Sequence, residues 1–86
     1  MAKLESFEPV LSGKASLYFA ALPKRKQRRL LDLLYQLARF PSQLGDYDSV
    51  DDAGRKVQHL QAGPLVVSFW ADYSARELRI TDIEDL

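Results

Sequence analysis

The stretch between Pro23 and Pro41 limits what this chain can fold into more than any other part of it. Its leucines fall at positions 30, 31, 33, 34 and 37, with Ala38 and Phe40 following. At about 100° per residue they fill an arc of roughly 160°, wide enough to pack on a sheet and a neighbouring helix together. Arg25, Arg28, Arg29, Asp32, Gln36 and Arg39 fall on the opposite, wet face. Pro23 suits the first helical position, where its missing N–H costs nothing. Pro41 ends the helix, because proline forces the residue before it out of helical geometry. The spacing therefore predicts a helix from Lys24 to Phe40.

The segments around it alternate differently. Phe7, Val10 and Leu11, interrupted by Pro9, predict a short edge strand over 4–11, since proline removes a ladder donor. Ser12 is a plausible N-cap for a short helix running through Ala15, Tyr18, Phe19 and Leu22. Residues 42–53 read as a polar connector with Gly45 and four aspartates. A strand is expected over 55–62, then a turn at Gly63-Pro64. Residues 65–72 (LVVSFWAD) are rich in β-branched and aromatic side chains and predict a central strand, with Phe69 and Trp70 on opposite faces. After a connection at 73–76, residues 77–83 alternate Leu78 and Ile80 against Arg79 and Thr81. The order is β-α-α-β-β-β. It implies an α+β fold in which a two-helix hairpin packs on a small antiparallel sheet.

The chain has 86 residues, the size of a single domain spanning 1–86. It has no Cys, hence no disulfide or thiolate zinc framework. No apolar run approaches the ~18 residues of a membrane span, and the N-terminus lacks a signal-peptide core, so a cytoplasmic location with no membrane partner is expected. Net charge is zero, but residues 1–40 hold 8 Lys/Arg and 3 Asp/Glu, while residues 41–86 hold 4 and 9. A surface for a polyanion should therefore lie in the first half.

The basic-then-leucine helix ending in Phe40-Pro41, the Gly54-Arg55 strand opening, the Gly63-Pro64 turn and the strand Phe69-Trp70-Ala71-Asp72 together resemble the RelE/ParE superfamily, in particular small members of the plasmid-stabilisation type. The resemblance implies the toxin of a type II toxin–antitoxin system, neutralised by a cognate antitoxin. Such toxins either cut messenger RNA on the ribosome or poison DNA gyrase. The RNA-cutting members use Lys and Arg from the sheet and a Tyr on a C-terminal helix, without a metal or other cofactor. Here Lys56 fills one of two basic strand positions and Gln58 the other. The next strand opens Gly63-Pro64-Leu65 instead of Gly-Tyr-Arg. The C-terminal helix is expected to be absent after the last strand. An enzymatic activity is therefore left open.

Cleaving RNA at a 2′-hydroxyl needs a base, an acid and cations around the phosphate. The candidates are Arg55, Lys56, His59, Arg76 and Arg79, with Tyr73 as a proton carrier. Histidine is the side chain whose charge changes nearest neutral pH, so His59 is the natural acid–base choice. A lone histidine on a strand is, however, more often a half-buried structural residue. The run Lys24, Arg25, Lys26, Gln27, Arg28, Arg29 places five cations at a helix N-terminus, where the dipole disfavours each by roughly 0.3–1 kcal/mol. Such a run marks a surface for nucleic acid or for an acidic partner segment, or else a solvated helix end with Asp32 pairing Arg28 or Arg29. A non-toxic interaction module and a basic-helix nucleic-acid binder are the alternatives to a toxin. The aspartates 46, 48, 51 and 52 lack EF-hand spacing, because the twelfth residue from Asp46 is Val57.

Overall fold

The computed structural model describes residues 6–86. Its elements are β1 (Glu8–Leu11), α1 (Gly13–Ala20), α2 (Lys24–Arg39), β2 (Tyr47–Val50), β3 (Lys56–Ala62), β4 (Leu65–Asp72) and β5 (Glu77–Asp85). Two helices pack on one face of a five-stranded mixed sheet of order β1-β5-β4-β3-β2. The α+β expectation holds, and β4 has the expected bounds. Leu4 and Glu5, included in the first expected strand, lie outside the described residues.

Two expectations about the sheet are corrected. It is not wholly antiparallel: β1 runs parallel to β5, with Val10 opposite Arg79 and Leu11 opposite Ile80. The helix pair carries the chain from β1 to the far edge strand β2, and three antiparallel reversals then bring β5 back beside β1 in the same direction. The connector over 42–53 is also not all loop. Tyr47–Val50 forms the edge strand β2, antiparallel to β3. All four of its residues are exposed, so no buried alternation marks it in the sequence.

Local chemistry explains the helix ends. Ser12 caps α1: its Oγ accepts the Ala15 N–H at 3.1 Å and donates to the Thr81 carbonyl at 2.9 Å, tying the helix start to β5. Pro23 is the N-cap of α2, one position earlier than expected, and offers no side-chain cap. Leu30, Leu34, Leu37 and Ala38 are the buried positions of α2. They form a stripe of roughly 100°, narrower than the leucine pattern suggests. Leu31 and Phe40 face solvent instead.

The core is filled from both layers by Phe7, Leu34, Val67, Phe69, Leu78, Ile80 and Ile83. Leu78 and Ile80 are two residues apart, but Ile83 follows after three. The reason is a bulge. Ser68 pairs with Asp82 and Phe69 with Ile80, which leaves Thr81 unopposed and shifts the alternation of β5 by one residue. The Thr81 hydroxyl donates to the Ser68 carbonyl at 3.3 Å beside the irregularity. No helix is long and apolar enough to cross a membrane among the described residues.

Gly45 lets the chain cross closely over β3. A Cβ there would sit 2.5 Å from the His59 carbonyl oxygen, a backbone atom that cannot swing aside. Gly45→Ala should therefore cost about 1–3 kcal/mol in urea unfolding, the range for overpacking. Hydrogen exchange at the residues of β2 should accelerate first. A neutral effect would mean that the 45–50 segment is free to move off β3.

Candidate functional site

Phe69 is in the core, so Trp70, its neighbour on β4, points to the sheet face away from the helices. Arg55 covers it, with the guanidinium carbon 4.3 Å from the ring centroid. Arg55 Nε also donates to Asp51 Oδ2 at 3.0 Å. Across the strand, Arg79 Nη2 lies 2.9 Å from Glu77 Oε1 and 3.7 Å from Asp72 Oδ2. Arg55, Trp70, Asp72 and Arg79 line one shallow hollow of about 350 Å³. Pairs this exposed are worth only about 0–1 kcal/mol each. Their carboxylates nevertheless cancel the positive field that a phosphate chain would need.

The carboxylates are held ionised by more than the arginines. The Arg55 backbone N–H, above all, keeps the Asp51 carboxyl below the usual range, helped by the Arg55 side chain and the Ala53 N–H. The Ser74 hydroxyl does most for Asp72, followed by the Ala75 N–H and the Arg79 charge. Asp72 accepts those two hydrogen bonds at 2.9 and 3.2 Å, closing the turn before β5. Arg76 sits in that turn at φ 56°, in the left-handed region, and its carbonyl accepts the Glu8 N–H at 3.1 Å.

His59 is set apart. Its Nε2 lies 2.7 Å from Ser49 Oγ and its Nδ1 2.8 Å from the buried Ser68 Oγ. Tyr47 stacks on the ring at 4.8 Å between centroids, nearly coplanar at 10°. A neutral imidazole has one donor and one acceptor nitrogen, and both are engaged here. The ring bridges β2, β3 and β4, and it lines neither of the hollows that the other candidates line.

Lys56 and Tyr73 meet in a second hollow of about 490 Å³ with Arg55, Gln58, Trp70 and the loop Pro41–Leu44. Tyr73 is exposed and packs edge-on against Phe7 at 5.1 Å. Gln58 accepts the Gly45 N–H on Oε1 at 2.8 Å. A lysine, which has no acceptor, could not make that bond. The structure thus brings Arg55 together with Arg79 in one hollow and with Lys56 and Tyr73 in the other. It leaves His59 and Arg76 outside both.

Lys24, Arg25, Lys26, Arg28 and Arg29 are all exposed on α2. Among the described residues no ion pair involves them, so the pairing of Arg28 or Arg29 with Asp32 is not made. The run divides by helical phase. Lys26 and Arg29 border an apolar groove of about 780 Å³ with Tyr18, Leu22, Leu30 and Leu33. The other three do not line it. Sequence reasoning missed this groove, although the alternation of Lys26 and Arg29 with Leu30 and Leu33 along one helix flank was a usable signal. Tyr18 Oη donates to Asp85 Oδ1 at 2.6 Å at its edge, and burial, then Asp85, push the Tyr18 hydroxyl up to about 12. The aspartates of 46–52 do not converge. Asp46 Oδ2 accepts the Gln61 N–H at 2.7 Å and Asp51 holds Arg55. Among the described residues no three His, Cys, Asp or Glu side chains are placed to hold a metal ion.

Two titrations check this geometry. Tyrosinate absorbance should show one of the four tyrosines ionising near pH 12, and Tyr18→Phe should remove that step. With its folded pKa raised above the ordinary 10.0, the Tyr18 bond stabilises fully below pH 10 and is lost as pH climbs towards 12. Asp51 and Asp72 have the opposite sign. Their folded values lie below 3.8, so their contribution is complete above that pH and disappears as pH falls through the depressed values. The stability difference between the protein and its D51N/D72N variant should therefore shrink on acidification. A constant difference would show that the two clamps do not form.

No protein-family model matches the sequence, and no curated protein matches it. Solved structures do. A chain of the toxin–antitoxin complex RelBE2 from Mycobacterium tuberculosis superposes with TM-score 0.77 at 14% identity, covering 100% of this chain and 98% of that one. A chain of the archaeal RelE–RelB complex from Pyrococcus horikoshii OT3 gives 0.67 at 14% identity, with 93% and 94% covered. Two helices on a five-stranded mixed sheet, matched end to end in this way, show that the chain shares the fold of those chains from RelBE complexes.

Proposed function

We propose that this protein is the toxin component of a type II toxin–antitoxin pair, held inactive by a cognate antitoxin encoded beside it. The observation that carries the reading is the end-to-end likeness to chains of two solved complexes, each of a toxin with its antitoxin. The charge distribution supports it. The five cations of α2 have no carboxylate partner among the described residues, so that side of the molecule suits an acidic binding partner.

Within that class the geometry favours growth inhibition by binding a protein target, or a weakened cleavage activity, over efficient RNA cleavage. A ribonuclease must gather acid, base and cation about one phosphate. Here Arg79 faces two carboxylates, Arg55 is clamped by Asp51 and Trp70, and His59 is occupied at both nitrogens. Of the candidates, Lys56 and Tyr73 share a hollow as exposed side chains that make no ion pair among the described residues, and two groups do not complete the set. The cellular target is then a translation component or DNA gyrase, as the family resemblance implies.

Inducing the protein alone in a bacterium should slow growth, and co-expressing the product of the adjacent reading frame should restore it. Pulse incorporation of labelled thymidine and labelled amino acid shortly after induction separates the targets. An early fall in thymidine uptake points to gyrase, and an early fall in amino-acid uptake to translation. Growth inhibition should survive Lys56→Ala combined with Arg79→Ala. Codon-specific messenger cleavage that those two substitutions abolish would overturn the preference for protein binding. Normal growth on induction, with no complex with the neighbour's product, would sink the toxin reading itself.

A further inference from the structure

Outside the three hollows, a row of polar side chains crosses neighbouring strands on the sheet face away from the helices. His59 on β3 is opposite Tyr47 on β2 and Ser68 on β4, and Ser49 follows Tyr47 by two residues on the same side of β2. The ring therefore lies between two hydroxyls, with Ser49 Oγ 2.7 Å from Nε2 and Ser68 Oγ 2.8 Å from Nδ1. The two ends differ in access. Ser49 is exposed on the edge strand, whereas Ser68 is only 6% exposed. A reachable hydroxyl, an imidazole and a third group that orients the ring, in that series, make the arrangement of an activated nucleophile.

Activation depends on which nitrogen accepts, since a neutral imidazole donates from one and accepts at the other. Ser68 bears on that choice through its own proton. Its register partner on β5 is Asp82, whose Oδ1 is buried with no hydrogen-bond partner among the described residues. The other oxygen, Oδ2, accepts from Lys14 Nζ at 3.2 Å. A carboxylate on that side draws the Ser68 proton away from the ring. Ser68 Oγ is then free to accept from Nδ1–H, which leaves Nε2 to accept the Ser49 proton. Tyr47, stacked at 4.8 Å, holds the ring in plane. The bond that keeps His59 from a ribose hydroxyl is, towards Ser49, the bond that activates a nucleophile.

We propose that Ser49 is a nucleophile activated by His59, that it acts on small activated carboxylic esters, and that Ser68 and Asp82 position the ring. The Ser49 oxygen attacks the ester carbonyl while Nε2 takes its proton. The tetrahedral centre collapses, the C–O bond to the leaving alcohol breaks, and the imidazolium returns the proton to that alcohol. Ser49 is left acylated. A water that gives its proton to Nε2 then attacks the acyl carbon, releases the carboxylic acid and restores the serine. The free strand edge supplies a donor for the oxyanion. Asp51 N–H bonds the Arg55 carbonyl, so by alternation the Val50 N–H, next to the nucleophile, points away from β3. None of the three hollows reaches Ser49, so the site suits a short acyl group lying against Tyr47. This activity stands apart from the toxin–antitoxin reading.

The test mixes the purified protein with p-nitrophenyl acetate and follows p-nitrophenol release together with the mass of the intact chain. The expected result is a burst of about one equivalent and a single acetyl group that peptide mapping places on Ser49, both lost in urea. Ser49→Ala should abolish the adduct. His59→Gln keeps hydrogen-bonding groups but removes the base, and should slow acylation roughly 100-fold or more. Ser68→Ala should slow acylation at an unchanged half-saturating ester concentration, a split that a merely structural role would not give. Because His59→Gln risks loosening β2, Ser49→Cys is the second variant, with the ring intact. Its thiol, the only one in the chain, should react with iodoacetamide several-fold faster than in the urea-unfolded chain. No adduct on the unmodified protein, or an adduct on Lys56 or a tyrosine in place of Ser49, would overturn the proposal. Acylation of Ser49 that is equally fast in folded His59→Gln, or a thiol no faster folded than unfolded, would overturn it as well.

Discussion

The strand β5 is the constraint on which the rest of the structure depends. It pairs with β4 on one side and β1 on the other, and α1 is fastened to it through Ser12. One residue of it, Thr81, is unopposed in the pairing with β4 and its carbonyl accepts the Ser12 hydroxyl. Without the bulge, strict alternation from Leu78 and Ile80 would put Asp82 inward and Ile83 on the far face. With it, Ile83 returns to the core and the Thr81 carbonyl is turned to accept the Ser12 hydroxyl that caps α1. A single extra residue thus sets the sheet's second half, its core and the start of the helix layer. The helix layer in turn fixes the groove.

The same frame explains why the sheet face opposite the helices is a poor phosphate site. Arg79 is flanked by Glu77 on its own strand and by Asp72 on β4. Arg55 and Asp51 close a short loop before β3, with the Asp51 carboxylate accepting two backbone N–H groups as well as the guanidinium. These acceptors serve the turns that deliver β3 and β5 to the sheet. Removing the carboxylates to free the cations would also undo the turns. His59 shows the same economy: the bonds that hold β2 on the sheet are made by the ring an acid–base catalyst would need free.

Much of this was legible in the residues, and the failures have physical causes. The helix α2 announces itself through two prolines and a leucine period, and β4 through an unbroken β-branched and aromatic run, because in both the burial pattern is local. β2 was hidden because an edge strand wet on both faces leaves no alternation. The parallel pairing of β1 was hidden because its partner lies about seventy residues away and turn chemistry says nothing about it. The bulge, by contrast, was visible in the spacing of Leu78, Ile80 and Ile83, a step of two and then three. At the site, the identities of the cations were readable but not their counter-charges. Gln58 is the instructive case. Against the resemblance it looks like a missing basic side chain, but in the fold it is the acceptor that anchors Gly45 over β3.

Opposed halves of charge on a neutral chain acquire a spatial meaning from this topology. The first half supplies β1 and both helices, and the second half supplies the other four strands. Sequence asymmetry therefore becomes asymmetry between layers, with a basic helix layer resting on a predominantly acidic sheet. Five cations gathered in the first turns of α2 cost helix stability, and no intramolecular pair among the described residues offsets that cost. Because Lys26 and Arg29 border an apolar cleft while Lys24, Arg25 and Arg28 do not, the helix presents mixed chemistry on one flank and pure charge on the other.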